Sequence, residues 1–407
     1  MRMSSRPVVG LTALALVASL GLSACSSKKT DSASSGTSAA SSSCGTIPTN
    51  APSDPNGVLA ALPSSVQALY NGYPTAVYKS AFASWKPSSS SNKTIGFLLS
   101  ETNNGYQLAL AAILSGMLKG AGYTVDEVTS SDEVTDQVAD FNQMVEQKVA
   151  AIVYEPLSSS AFTTAVQNAA AASIPSISLL NSVDSADTVN VGANDWLQGA
   201  LMAQYVAKEI GGSGKVLDVH GISGVGIDTA TYDGVKAVFG ECSGITTDDT
   251  IYDQFADSTA KSAVQTYLET HPQKIAAAMT SGAGATGVLE GFQAAGKTVP
   301  IIANDSLEDG QLAYWYQNKS SYNGVGITAT PPQLASATLA LVQALFKGEG
   351  VKVSDVVLNT PLVTDANVAD WYTSSMTTSS TGNASGPSSL NVLPTSELDE
   401  LLSNPSS

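Results

Sequence analysis

Polar residues recur in this chain where apolar runs give out. "IGFLLSETNNGYQLAL" (95–110) breaks at Asn103, Asn104 and Tyr106, and later runs stop at or near Glu155, Asn181, His220, Asp228, Ser281, Asp305 and Thr328. The set comprises amides, hydroxyls, carboxylates and one phenol ring. Amides and carboxylates exchange hydrogen bonds with hydroxyl groups, and an aromatic ring covers an apolar face. No G-x-S-x-G turn is present and neither histidine has an evident serine partner, so nucleophilic catalysis is not expected. His220 and His271 with Cys44 and Cys242 lack the spacing of a zinc site, so neither metal nor cofactor is expected. Each residue also has a plainer reading. Asn103, Asn104 and Asp305 can cap helices, Tyr106 can be core, Glu155 a solvated loop acid and His220 a hydrogen-bonded structural group.

Charge narrows the guest. Eighteen basic residues stand against 35 acidic ones, a net charge of −17, and Arg2 and Arg6 are the only arginines. Beyond residue 6 the chain has no guanidinium fork with which to clamp a carboxylate, phosphate or sulfate. A surface this acidic repels nucleic acid and anionic membranes. The expected ligand is small and either neutral or cationic.

The elements that must position these residues are legible from periodicity. Runs such as "KTIGFLL", "VAAIVYE", "PSISLL", "KVLDVHG", "KIAAAMT" and "VPIIAND" alternate with helical stretches. In the first helix, Leu110, Ile113, Leu114, Met117 and Leu118 fall on one face. Alternating strands and helices imply an α/β fold with parallel sheets covered on both faces. Ligands bind such sheets at the carboxyl ends of the strands, where the polar residues lie. Residues 93–372 exceed what one core usually serves, so two lobes are expected.

The ends read differently. Residues 1–24 form a leader, with a basic start, an apolar run at 8–22 and small residues before Cys25. "LSAC" (22–25) resembles the bacterial lipobox, which implies diacylation of Cys25 and a lipid anchor on the outer face of the cytoplasmic membrane. Residues 25–92 are expected to be a lipidated Ser/Pro-rich tether and arm, and 373–407 a disordered Ser/Thr-rich tail. Outside the cytoplasm Cys44 and Cys242 are expected to bridge, two buried thiols being the other reading.

Residues 93–372 resemble the type I periplasmic binding proteins, in particular their ribose-binding branch. The likeness rests on "TIGFLLSETNNGYQLAL", "AAIVYEPLSSSAFTTAVQNAAAASIPSISL", "VNVGANDWLQGALMAQYVAK", "THPQKIAAAMTSGAGATGVLEGFQAAGKTVPIIANDS" and "PLVTDANVADWY". The resemblance implies two Rossmann-like lobes, 93–194 with 329–359 and 195–328 with 360–372, joined by crossings near 194, 329 and 360. It implies a monomer that binds a sugar or sugar-like polyol in the cleft and hands it to an ABC permease. Asn104, Tyr106 and Asp305 fall on the family's ligand positions. Its Asp-Arg pair falls on Leu180-Asn181 and a further arginine on Thr231. The remaining positions fall on Ser258 for a cleft aromatic, Ser281 for an asparagine and Ala329 for a glutamine. Trp196 follows a crossing and is considered for the pocket mouth, while "YWY" (314–316) has core spacing.

Three rivals remain. "GAGATG" (282–287) is a literal G-x-G-x-x-G with Asp305 beyond it, a dinucleotide-binding pattern, though no acid–base pair accompanies it. A repressor of this fold would need a DNA-binding helix pair and a basic face. A sensory lipoprotein would share the fold and report its ligand to a membrane receptor.

Overall fold

From Thr94 to Lys347 a helix follows each strand as the apolar runs predict, save that Ser176–Leu179 leads directly to Val189–Gly192, and a further strand, Asp355–Val357, falls outside those runs. The computed structural model describes residues 43–99, 105–131, 133–391 and 393–405. The leader and Cys25 lie outside them. In chain order the elements are α1 (Ser64–Gln67), β1 (Thr94–Leu99), α2 (Gly105–Gly120), β2 (Thr124–Thr129), α3 (Val134–Glu146), β3 (Ala151–Tyr154), α4 (Thr163–Ala171), β4 (Ser176–Leu179) and β5 (Val189–Gly192). They continue with α5 (Asp195–Glu209), β6 (Ser213–His220), α6 (Gly226–Phe239), β7 (Gly244–Tyr252), α7 (Asp257–Thr270), β8 (Ala277–Thr280), α8 (Ala285–Ala294) and β9 (Ile301–Asn304). The last are α9 (Asp309–Asn318), β10 (Val325–Gly326), α10 (Pro331–Lys347), β11 (Asp355–Val357) and α11 (Thr395–Leu401).

The strands form two sheets, ordered β11-β5-β4-β3-β1-β2 and β10-β9-β8-β6-β7. Every pairing within them is parallel. β3, β4 and β8 are buried along their whole length, as strands covered on both faces must be. In the first lobe Leu110, Leu114 and Leu118 of α2 and Leu334, Leu341 and Leu345 of α10 pack with Ile95, Phe97 and Ile177 of the sheet. In the second, Ala203 and Val206 of α5 and Val235 and Val238 of α6 cover Val216, Met279 and Ala303.

The chain passes between lobes three times, at 193–194, 327–330 and after β11 at 358–362, where Val363 bridges back to Gly326. Side chains stitch the crossings together. Asn194 caps α5 and donates to the carbonyls of Leu69 and Asn71, both at 2.8 Å. Gln198 reaches Thr360 at 3.1 Å, and Gln333 donates to the Asn359 carbonyl at 2.9 Å.

The N-terminal arm packs on both lobes. Tyr70 donates to the Asp355 carbonyl at 2.7 Å and Tyr73 to its carboxylate at 3.0 Å, while Leu59, Leu62, Val77 and Phe82 join the first lobe's core. Gly72 lies under the indole of Trp196, where an added Cβ would come within 1.9 Å of the ring. At its start the arm is bonded to the second lobe by the disulfide Cys44–Cys242.

The tail differs from the disordered segment its composition suggests. Met376 and Ala384 join the second lobe's core beside Trp371. The Ala384 amide donates to Leu307 at 2.9 Å and the Asp309 amide to Gly382 at 2.8 Å, so 382–384 pairs with 307–309. Farther on, Leu393, Leu401 and Leu402 enter the first lobe's core, and the Lys352 amide donates to Leu401 at 2.8 Å. A few apolar anchors spaced along a polar strap suffice to order it, and averaged composition conceals them.

Two outcomes follow. Truncation after Tyr372 is expected to lower unfolding stability by several kcal/mol, because each of Met376, Leu393, Leu401 and Leu402 contributes about 1.5–3 kcal/mol of burial before ordering entropy is deducted. Denaturant midpoints equal to those of the full chain would refute this. Cys44→Ser opens a bridge spanning 198 residues. It is expected to cost about 2–5 kcal/mol, read as a shift in urea midpoint that added reductant reproduces in the parent protein.

Candidate functional site

The first lobe supplies one wall of the gap between the sheets. Asn103 and Asn104 lie outside the described residues, immediately before α2. Tyr106 stands in the first turn of α2 and its hydroxyl donates to the carbonyl of Ala329 in the second crossing. The neighbouring Gln107 donates to Glu155 Oε1 at 2.6 Å, and Glu155 is buried at the end of β3. Gln137 fixes that loop, donating to the Glu155 carbonyl at 2.7 Å and accepting from the Leu157 amide at 2.9 Å. Asn181 follows β4 through Leu180, which adopts a left-handed φ of 62°. Its amide nitrogen donates to Pro156 at 3.1 Å, and its Oδ1 lies 3.8 Å from where a Cβ on Gly226 would stand. The lobes therefore approach closely at Asn181 and the start of α6.

The opposite wall belongs to the second lobe. Asp305, just past β9, accepts the Gly282 amide at Oδ2, 2.9 Å away. Its Oδ1, the Thr231 hydroxyl on α6 and the Ser281 hydroxyl after β8 are all buried and make no hydrogen bond among the described residues. Thr231 nonetheless lies close enough to the Asp305 carboxylate to favour its charged form. Asp228 uses Oδ2 on His220 Nδ1 at 2.7 Å and Oδ1 on the Gly221 amide at 2.9 Å. That pair, stacked on Tyr232 with ring centroids 3.6 Å apart, stiffens the wall. Thr328 is buried in the second crossing, its hydroxyl 3.4 Å from the Ala329 carbonyl.

Two residues at the gap escape a reading by strand ends. Asp195 opens α5 directly after the first crossing, where Asp305 raises its carboxyl and it in turn raises the Tyr106 phenol. Phe255 lays its ring over Gly221 and Gly282, where Cβ atoms would come within 1.9 and 2.8 Å of it. Gln254 and Phe255 both hold left-handed φ angles, 56° and 54°, a strained turn of the kind found at binding sites. Ser258, at the position aligned with the cleft aromatic, is exposed in α7. Trp196 is a core residue between Gly72 and the helices of the second lobe, and does not stand at the pocket mouth. Trp315 of "YWY" is fully buried, its indole donating to Asp365 at 2.5 Å.

Burial sets the electrostatics. It raises the Glu155 carboxyl to about 7, against the Gln107 hydrogen bond. Burial likewise raises Asp305 to about 7, opposed by the Gly282 amide and Thr231 and assisted by Asp228. Asp195 is pushed well above the carboxylate range by burial and then by Asp305. Burial, followed by the charges of Glu155, Asp195 and Asp305, raises the Tyr106 phenol. Among the described residues, lysine ion pairs join Asp249, Glu290 and Glu349, and none reaches these three acids.

The G-x-G-x-x-G loop is already occupied by the chain's own acids. Glu308 accepts the Gly284 and Thr286 amides, both at 2.6 Å, and Asp257 accepts the Gly287 amide at 2.8 Å. These are the donors with which a helix start would cradle a diphosphate. A depression of about 470 Å³ lies elsewhere, along α7 and Tyr252, and none of its lining residues carries a buried unpaired polar atom.

Residues 95–350 match the family model described as a periplasmic binding protein domain. The ribose import binding protein of Bacillus subtilis is 26% identical over 228 residues, 55% of this chain and 74% of that protein. A xylitol-binding protein of Mycolicibacterium smegmatis is 26% identical over 252 residues, 59% of this chain and 68% of that one. An ABC transporter solute binding protein from Bacillus halodurans, solved with bound myo-inositol, superposes with a TM-score of 0.62 at 21% identity, covering 70% of this chain and 98% of its own. A solute binding protein from Thermobispora bispora gives 0.61 at 23%, covering 69% and 87%. At such identities these structures speak for the fold.

Because Glu155 and Asp305 hold protons in the folded chain up to about pH 7, the folded state binds more protons than the unfolded one from pH 4 to 7. Ligand-free stability should therefore fall as pH rises through that window, by up to about 1.4 kcal/mol per pH unit for each proton. Asp218, Asp253 and Glu308, raised by burial to about 7, 8 and 8, act in the same direction. Scanning calorimetry is expected to give a higher melting temperature at pH 5 than at pH 8, with Glu155→Gln and Asp305→Asn each narrowing the gap. A flat or rising profile would contradict the desolvation described.

Proposed function

The chain belongs to the periplasmic binding protein family, and on that premise we propose that it is the solute-binding subunit of an ABC importer. In this reading it is anchored by lipid at Cys25 outside the cytoplasm, acts as a monomer and delivers a sugar or sugar-like polyol to a membrane permease. The observation that carries the reading is a set of buried polar atoms without partners among the described residues: Asp305 Oδ1, Thr231 Oγ1 and Ser281 Oγ. Buried polar groups are normally hydrogen-bonded, and orphans on α6 and just past β8 and β9 are what a hydroxylated guest would satisfy.

Asp305 would accept hydroxyl protons at Oδ1, while Thr231 and Ser281 would each donate or accept. Asn181 and Asn104 would contact the guest from the first lobe, and the rings of Tyr106 and Phe255 would cover its apolar faces. Each hydrogen bond contributes about 0.5–1.5 kcal/mol net, so several must converge. A ligand that touches both walls only when they meet favours the closed arrangement, and that differential contact drives closure.

A thermal-shift screen of the full chain against pentoses, hexoses, polyols, carboxylates and phosphates tests this. A ligand at 100 times its dissociation constant should add about 2.7 kcal/mol of stability. Asp305→Ala is expected to abolish the response, and Thr231→Val or Ser281→Ala to weaken binding by about five- to tenfold, one hydrogen bond each. A response confined to carboxylates or phosphates would overturn the reading.

A further inference from the structure

The tail holds the loop that carries Asp305 and bears on the opposite lobe as well. On the second lobe, residues 382–384 run antiparallel to 307–309. The Ala384 amide donates to the Leu307 carbonyl at 2.9 Å and the Asp309 amide to the Gly382 carbonyl at 2.8 Å. Asn383 Nδ2 donates to the Ser306 carbonyl at 3.0 Å. The pairing braces a loop in which Leu307 holds a left-handed φ of 50°. Two carbonyls just before it fit against glycines, one in each lobe. The Ser380 oxygen lies 2.8 Å from where a Cβ on Gly310 would stand, and the Thr381 oxygen 2.9 Å from one on Gly105. Gly310 belongs to α9 and Gly105 to α2, each in the first turn, where free backbone N–H groups favour a carbonyl oxygen.

The tail then changes lobes. Leu390 packs on the second lobe's core, Asn391 accepts from the Thr330 hydroxyl at 3.2 Å beside the second crossing, and Leu393 enters the first lobe's core. Three residue steps span at most about 10 Å, so little slack separates the two anchors. Beyond them the Lys352 amide donates to Leu401 at 2.8 Å and the Asn404 amide to Glu349 at 2.8 Å, which fixes the end of the tail to the first lobe. Because 382–384 is bonded to the Asp305 loop, any rotation that parts this loop from α2 must also lift Thr381 off Gly105. We propose that the tail is a fourth connection between the lobes and that residues 380–384 are its latch, holding the walls together before a ligand arrives. The ligand then meets a cleft whose closure the chain's own contacts already favour. The proposal takes the hinged lobes from the solute-binding reading and is independent of which ligand binds.

Pulsed electron paramagnetic resonance on the ligand-free full chain tests it. Spin labels are attached through Leu108→Cys in α2 and Ile222→Cys just past β6, both exposed, in a Cys25→Ser background that leaves the Cys44–Cys242 bridge intact. The parent is expected to show one dominant short distance. Truncation after Tyr372, and Gly105→Ala, whose methyl would collide with the Thr381 carbonyl, are each expected to raise the share of a longer distance about fivefold or more. Gly116→Ala, in the same helix with open space around it, should leave the distribution as in the parent. Should the truncated chain fail to fold, Gly105→Ala decides, since alanine favours the helix that it enters. A parent distribution as long and broad as that of the truncated chain would overturn the fourth connection. Distances unchanged in Gly105→Ala would overturn the latch. Either result would leave the solute-binding reading standing, because the thermal-shift screen decides that reading without reference to lobe separation.

Discussion

Parallel strands in both lobes send their carboxyl ends to one gap, and three crossings hold the lobes beside it. At those ends Glu155, Asp228, Ser281, Asp305 and Thr328 are all buried. Glu155 and Asp305 are buried carboxyls, one in each lobe, and a desolvated carboxylate is costly unless it is protonated or paired. Among the described residues the Gln107 amide donates to one oxygen of Glu155 and the Gly282 backbone to one of Asp305. What these donors leave unmet is the capacity to bind. Asp305 Oδ1, Thr231 Oγ1 and Ser281 Oγ are left without a partner among the described residues, and the proposed guest would meet them.

Both chain ends reinforce this arrangement at different radii from the crossings. The arm touches the crossings themselves: Asn194 holds the carbonyls of Leu69 and Asn71, and Trp196 lies on Gly72. Rotation of the lobes about the crossings displaces such contacts little. The tail passes farther out, where Asn383 donates to the Ser306 carbonyl and the carbonyl of Thr381 lies 2.9 Å from a Cβ placed on Gly105. Contacts there lie close to the loop that carries Asp305 and to the first turn of α2 that carries Tyr106. Ordering of the tail and approach of the two walls are consequently parts of one packing arrangement. The closed state needs less from the ligand to the extent that the chain's own contacts already favour it.

Alternation of apolar runs made the two sheets readable, because a buried parallel strand has little freedom in composition. Residues whose role depends on a neighbour distant in sequence were less readable. Asp195 sits in a helix start rather than at a strand end, and the influence of Asp305 on it depends on the fold. Phe255 was displaced by the alignment with Ser258, since its position depends on a strained two-residue turn that no periodicity marks. The tail misled through composition: serine and threonine dominate it, while Met376, Leu393, Leu401 and Leu402 do the packing. Glu308 shows the converse. Its sequence neighbourhood is unremarkable, yet it fills the glycine-rich loop and removes the nucleotide reading that "GAGATG" invited.

Charge at the cleft is best understood as a transfer between protein and guest. In the pattern this chain resembles, an aspartate–arginine pair and a second arginine let the protein balance its own acids. Here those positions are Leu180, Asn181 and Thr231, while Asp305 is retained and Asp195 and Glu155 stand nearby. Replacing guanidinium with amide and hydroxyl keeps hydrogen-bonding capacity but removes positive charge, so the acids must be neutralised by protons or by the ligand. Protonation suffices while the cleft is empty, since burial already raises Glu155 and Asp305 to about 7. The same three substitutions that weaken a claim to ribose also remove the guanidinium groups that would favour an anionic guest.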